Sequence, residues 1–362
     1  MLAGALAACG ATSRAPRPGV PAPPSSSAIP DRAALDLVVA YREAAAAFVI
    51  LDNASGWYPG KNDEQYATYL RERFGAQPDD AARFAAWADV RRRYFIPETP
   101  PAVGTDLFAH PKPPDRVAEA FYESRSLDEA FTRLSAFMTA AEVEVLRGVF
   151  VALRPRLDPL VAEGRAFVPL APRLEQELRG PGPAAFLARA ARFYGVEISS
   201  RFTVLYVWWP PVDHTSAAHH GPYLLLQYNP EKHAEDAAEA ADVVVHELMH
   251  HLSLQQPEAR RRALTRAFTE RCNVGGTIRP EFVLEEPLAV AEQKVFLGDF
   301  APARLDFSAS WYGSPWVGAL AKMIYPELRE AYAAGRANDE RLMARLGKSC
   351  QQLAAVGQLF AN

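Results

Sequence analysis

The spacing of apolar residues predicts a mostly helical first half of the chain. Apolar side chains recur every three or four positions over long stretches, which is typical of helices with one buried face. The first stretch, 31–51, is also rich in alanine, the residue with the highest helix propensity. The helices predicted in this half are 31–51, 62–74, 79–95, 126–137, 140–153 and 183–194.

The pattern changes at residue 196. Residues 196–209 are rich in β-branched and aromatic side chains and run into two prolines, which predicts a strand. Residues 223–228 (YLLLQY) predict a second strand, with a loop between the two. These features favour an α+β fold, predominantly helical with a small antiparallel sheet. The remaining predicted helices are 235–256, 257–271, 280–297, 315–334 and 339–359.

The N-terminus predicts an exported, tethered protein. Residues 1–9 end in Leu-Ala-Ala-Cys, which resembles a bacterial lipobox and implies a signal segment with a lipid on Cys9. The alternative is a disordered, alanine-rich N-terminus. Residues 10–30, rich in Pro, Ser and Ala, predict a tether. We therefore expect a helical region at 31–195 and a site-bearing region at 196–362, anchored at the bacterial cell envelope.

The composition indicates a folded protein and gives no sign of nucleic-acid binding. The 362 residues include 49% hydrophobic and 23% charged residues, which excludes wholesale disorder. The net charge of −4 gives no basic excess for nucleic-acid binding. If Cys9 carries lipid, Cys272 and Cys350 remain as a candidate disulfide in an oxidising compartment.

The predicted helix 235–256 contains the sequence H-E-L-M-H. His246 and His250 lie four residues apart, about 400° around a helix, so both imidazoles leave the same face and can bind one zinc ion. Glu247 is offset by about 100°, beside the metal, where its carboxylate can take a proton from a zinc-activated water. The pattern predicts a hydrolytic zinc site with Glu247 as general base.

A catalytic zinc needs a third protein ligand. Glu286-Pro287-Leu288-Ala289 follows on the predicted helix 280–297. H-E-x-x-H followed by a helix reading E-x-L-A resembles the gluzincin class of zinc metallopeptidases, over roughly residues 204–334. The resemblance implies a zincin-like core with Glu286 as third ligand, although Pro287 stands where glycine is usual. Proline suits a helix start, so this helix begins near Glu286, and Glu285 and Glu292 remain rival ligands.

The same resemblance suggests two further parts of the site. Gluzincins commonly use a Tyr or His to stabilise the oxyanion, and Tyr312 is the first candidate, with Tyr325 next. Zincins also pair an extended substrate with an edge strand, here strand 223–228, although an ordinary core strand is an equal alternative. Both tyrosines have packing as their simpler interpretation.

Other polar residues near the motif have weaker signals. His251 is expected at the surface or behind a ligand, and Asp242 is expected to be an exposed acid, with support of a ligand imidazole as the alternative. His214 and His219 fall in the predicted loop between the strands, where solvated histidines are the rule.

The expected function is zinc-dependent hydrolysis of a peptide or protein substrate at the cell envelope. The alternative is a lipid-anchored binding or assembly protein whose zinc site is structural or has lost activity. A structural zinc would need a fourth ligand, for which His214 and His219 are candidates.

Overall fold

A computed structural model shows where these predicted elements lie. The residues it describes are 36–58, 63–96, 107, 114–197, 201–211, 215–233, 237–274, 278 and 280–361. The predicted signal segment with Cys9, the tether and His214 lie outside the described residues.

Within the described residues, four strands form one sheet in the order β1-β2-β4-β3. β1 pairs with β2 in parallel, β2 with β4 in parallel, and β3 with β4 antiparallel. The sheet is therefore mixed, and the prediction of an antiparallel sheet was wrong. The strands are β1 (Asp36–Tyr41), β2 (Arg201–Trp208), β3 (Ser216–His220) and β4 (Tyr223–Tyr228).

Strand β1 corrects the prediction of one continuous helix over 31–51. Leu37 and Val39 alternate into the core, and the helix begins only after Arg42. The outer edge of β1 is covered by side chains: Glu175 accepts from the Val39 amide (3.0 Å) and Arg179 donates to the Leu37 carbonyl (2.6 Å). These contacts satisfy backbone groups that would otherwise offer an open edge to another strand.

Most other helix predictions are confirmed within a few residues. Helix 140–153 extends further, to residue 164, and the predicted helix 280–297 is interrupted at Leu284. The helices are α1 (Glu43–Ala54), α2 (Asp63–Phe74), α3 (Asp80–Tyr94), α4 (Arg116–Glu123), α5 (Leu127–Leu134), α6 (Ala140–Gly164), α7 (Leu170–Leu178), α8 (Pro181–Tyr194), α9 (Pro230–His233), α10 (Ala237–Leu254), α11 (Glu258–Thr269), α12 (Pro280–Val283), α13 (Glu285–Phe300), α14 (Pro315–Ala333) and α15 (Glu340–Ala361). Among the described helices, none combines the length and the hydropathy of a membrane-spanning segment.

The two faces of the sheet bury different cores. Leu205 and Val207 of β2 join a core built mainly by α1–α6. Val204 and Tyr206, which alternate with them, join a second core with α7, α8 and α10–α15. The described residues belong to one compact unit, and its sheet takes strands from both sides of residue 196.

A disulfide ties the C-terminal helix α15 to the segment that follows α11. Cys272 and Cys350 are bonded, with their Cα atoms 5.6 Å apart, which confirms the pairing predicted from the sequence. One helical turn earlier, a Cβ on Gly347 would lie 2.5 Å from the Phe268 carbonyl oxygen. The absence of a side chain at Gly347 therefore allows α15 to approach the end of α11 closely.

Removing this bond should destabilise the fold. The double variant Cys272→Ser, Cys350→Ser removes the constraint on a long loop of the unfolded chain. We therefore expect the free energy of unfolding to fall by about 2–4 kcal/mol. Urea denaturation of the wild type with and without reductant is the matched control. The disulfide would not stabilise the protein if the urea midpoint of the wild type were the same with and without reductant and equal to that of the variant.

Candidate metal centre

Helix α10 presents two imidazoles from adjacent turns. The Nε2 atoms of His246 and His250 lie 3.1 Å apart, and the ring centroids are 4.8 Å apart. The helix is held in place by fully buried neighbours such as Val245 and Met249. The i, i+4 spacing thus places both Nε2 atoms together, as the sequence predicted.

Helix α13 brings a carboxylate to the same point. Glu286 Oε2 lies 3.5 Å from His246 Nε2, and Glu286 Oε1 lies 3.6 Å from His250 Nε2. One ligand atom from each of the three residues lies within 4.8 Å of the others, so the group could hold a metal ion. Pro287 falls in the first turn of α13, where its missing N–H costs no helical hydrogen bond.

The polar atoms of this group fit a bound cation. Glu286 Oε2 is buried and has no hydrogen-bond partner. Burial alone would raise the pKa of Glu286, but His250, His246 and the Tyr312 hydroxyl lower it to about 2. A buried carboxylate that stays ionised between two imidazoles is a suitable ligand for a divalent cation.

Glu285 lies on the other side of His250. Its Oε1 is 2.8 Å from His250 Nδ1, and the residue is only 4% exposed. Burial lowers the pKa of His250, but Glu285 and Glu286 more than offset this and raise it to about 10. A carboxylate at Nδ1 directs the ring so that Nε2 faces the metal position. The structure thus separates the rival ligand Glu285 from the metal-facing atoms.

The other rival ligand, Glu292, is deep in the core. It is fully buried and accepts hydrogen bonds from the Tyr194 hydroxyl (2.6 Å) and the Tyr332 hydroxyl (2.9 Å). Burial raises the pKa of Glu292 to about 8, despite these two bonds. This cluster joins α8, α13 and α14, and it was not predicted from the sequence, in which Glu292 was considered only as a rival ligand.

The residues expected to do chemistry border the three side chains that could hold a metal ion. Glu247 is half-buried and close enough to His250 to raise the pKa of that imidazole. The Tyr312 ring lies 6.5 Å from the His246 ring at 26°, and its hydroxyl is close enough to Glu286 to lower the pKa of that carboxyl. Tyr325 packs instead against Phe307 and Trp311, with ring centroids 5.3 and 5.7 Å away.

Asp242 differs from the expectation of an exposed acid. It is 8% exposed, one turn before His246, and its Oδ2 lies 3.9 Å from Lys294 Nζ. Burial raises the pKa of Asp242, and Lys294 partly offsets the effect. The sequence did not signal this burial, because it arises from α13 packing alongside α10.

His219 and His251 form a pair away from the metal-facing atoms. His219 Nε2 is 3.1 Å from His251 Nδ1, and both rings pack on Phe202. Burial lowers the pKa of His251 to about 4, so its ring is neutral near pH 7. His219 lies on β3, where the sequence predicted a loop, and joins this strand to the last turn of α10.

The strand expected at the sheet edge is in the interior. β4 lies between β2 and β3, and all six of its residues are buried. The outer strand next to it is β3, whose residues are all half-buried. The edge-strand interpretation of residues 223–228 was therefore wrong, and its equal alternative, an ordinary core strand, is confirmed.

Comparisons of the chain with protein-family models, curated proteins and solved structures found no significant match. The function of the centre is therefore inferred from its geometry and chemistry.

The contact between Glu285 and His250 predicts a graded loss of metal affinity. With Zn²⁺ as probe, we expect Glu285→Gln to weaken binding by about 10-fold and Glu285→Ala by up to about 100-fold. Glu258→Gln, an exposed acid on α11, should leave binding unchanged. Chelator competition measures the affinities. Full affinity in Glu285→Ala would contradict the positioning role of Glu285. If Glu285→Ala lost the metal and Glu286→Ala kept it, Glu285 would be the ligand and Glu286 the positioning residue.

Proposed function

We propose that the protein is a zinc-dependent peptide hydrolase of the gluzincin type. The observation that carries this proposal is the convergence of His246, His250 and Glu286 on one point, with Glu247 and Tyr312 beside them. The conclusion rests on the chemistry of these five side chains and on their resemblance to the gluzincin pattern.

The separations of the ligand atoms favour zinc. Bonds of about 2.0–2.2 Å at tetrahedral angles place ligand atoms about 3.3–3.6 Å apart. The three separations here are 3.1, 3.5 and 3.6 Å. Two imidazole nitrogens and one carboxylate are also a ligand set that zinc uses in hydrolases, with one position left for solvent or substrate.

The number of ligands favours a catalytic site over a structural one. A structural zinc is closed by four protein ligands. In the parts of the chain that the structure describes, the group has three members. His219, which could have been a fourth ligand, contacts His251 instead.

Each side chain has a distinct role in the proposed reaction. A bound zinc ion supplies Lewis acidity, which brings the pKa of water to about 7. The Glu247 carboxylate accepts a proton from the attacking water and delivers it to the leaving amine nitrogen. The Tyr312 hydroxyl donates a hydrogen bond to the carbonyl oxygen as negative charge develops on it. Glu285 fixes the orientation of His250 throughout.

The arrangement of the sheet suggests where an extended substrate binds. β3 is an outer strand, and the pair His219–His251 fastens it to the helix that carries the ligands. A peptide added along β3 would use main-chain hydrogen bonds for affinity. The edge-strand role that the gluzincin resemblance implied for residues 223–228 is thus proposed for residues 216–220.

The main test of the hydrolase separates metal binding from chemistry. Glu247→Gln should keep about one zinc per chain and lose peptide hydrolysis by a factor of about 10² or more, because the amide cannot accept the proton. His246→Ala should lose the zinc as well. Metal analysis and cleavage of a mixed peptide library measure both effects. Undiminished hydrolysis in Glu247→Gln would eliminate this mechanism.

We also propose anchoring to the bacterial cell envelope through a lipid on Cys9. In Cys9→Ser the thiol that receives the lipid is absent, so we expect the protein to move from the membrane fraction to the soluble fraction. Fractionation of cells expressing the two proteins measures this. Equal membrane partition of both would refute the anchor and leave the hydrolase proposal intact.

A further inference from the structure

The loop that carries Tyr312 has little regular structure. It spans residues 301–314, between α13 and α14, and contains only a short 3-10 turn at Pro302–Arg304. Its final residues nevertheless bring Tyr312 to the ligands His246 and Glu286. A hydroxyl that must meet a developing charge has to be held to within a fraction of an ångström, so the loop needs an anchor.

That anchor is a lysine on α14. Lys322 Nζ donates to the Phe307 carbonyl (2.8 Å) and to the Ala309 carbonyl (2.7 Å). The same ammonium lies 5.6 Å from the centre of the Trp311 ring, which is a cation–π distance. One side chain thus fixes three points of the loop immediately before Tyr312.

The Trp311 side chain completes the anchor. It is 8% exposed, its indole N–H donates to the Asp306 carbonyl (2.8 Å), and its ring packs against Phe307 and Tyr325. Because Tyr312 is the next residue, fixing Trp311 restricts the backbone position and the side-chain direction of Tyr312. The Tyr312 ring itself packs edge-on against Phe282 of α12, with centroids 6.1 Å apart.

We propose that Lys322 is a positioning residue that acts through Tyr312. It holds the loop 305–314 in the conformation that places the Tyr312 hydroxyl against the metal centre. This inference deepens the proposed hydrolase and rests on it for its kinetic consequences. Lysine suits the role, because an ammonium has three donors on a flexible stem and can satisfy two carbonyls while facing a ring.

The kinetic test is a double-mutant cycle on the zinc-loaded protein. Lys322→Met should lower kcat by about tenfold with KM and zinc content unchanged. Tyr312→Phe should lower kcat by about 10²-fold. If Lys322 acts through Tyr312, adding Lys322→Met to Tyr312→Phe should cost nothing further. Lys322→Arg, which can still reach the carbonyls, should recover most of the rate, and the exposed control Lys348→Met should match the wild type.

A second measurement does not depend on activity. Hydrogen–deuterium exchange of the amides in 305–314 should be at least about tenfold faster in Lys322→Met, while exchange in α10 and α13 should be unchanged. Unchanged loop exchange, or an equal loss of kcat with and without the Tyr312 hydroxyl, would overturn the proposal. If the wild type cleaves no peptide, the proposed function fails, and loop exchange alone decides the role of Lys322.

Discussion

The packing of α13 against α10 is the contact on which the centre depends. The two helices run in opposite directions, so that Glu286 faces His250 while Gln293, seven residues later, donates to the Asp242 carbonyl. This arrangement buries an ionised carboxylate between two imidazoles, which is costly unless a cation or protons balance it. A metal ion is the simplest group that satisfies all three side chains together.

The rest of the fold holds these two helices in register. The sheet lies between a core formed mainly by α1–α6 and a second core that contains α10 and α13. The bonds of Glu292 to Tyr194 and Tyr332 tie α13 to α8 and α14. The pair His219–His251 joins the last turn of α10 to the sheet. Helices α1–α6 therefore pack on one face of the sheet, and α10 and α13, which carry the centre, pack on the other face.

The sequence predicted what depends on local periodicity. The helix that bears His246 and His250 follows from spacing alone. The pairing of Cys272 with Cys350 was predicted from the cysteine count together with the expectation of an oxidising compartment, and the structure contains this bond. Two strands were missed because their residues lack a strong strand signal: β1 precedes an alanine-rich helix, and β3 reads Ser-Ala-Ala-His-His. Their strand conformation comes from pairing with distant segments, which local propensity does not report.

The division of roles between Glu285 and Glu286 also depends on tertiary contacts. Adjacent residues on a helix point about 100° apart, so the rotation of α13 against α10 decides which carboxylate faces Nε2 and which faces Nδ1. The interruption at Leu284 lies immediately before both residues. Lys322 was not predicted for a similar reason, since its partners are main-chain carbonyls that carry no sequence signature.

The most direct test of the central claim is anomalous diffraction at the zinc edge from crystals of the zinc-loaded protein. The account predicts one strong peak, located between the Nε2 atoms of His246 and His250 and the Glu286 carboxylate, and closer to these atoms than to Glu285. A peak elsewhere in the molecule, or no peak among these three side chains in fully loaded protein, would contradict it.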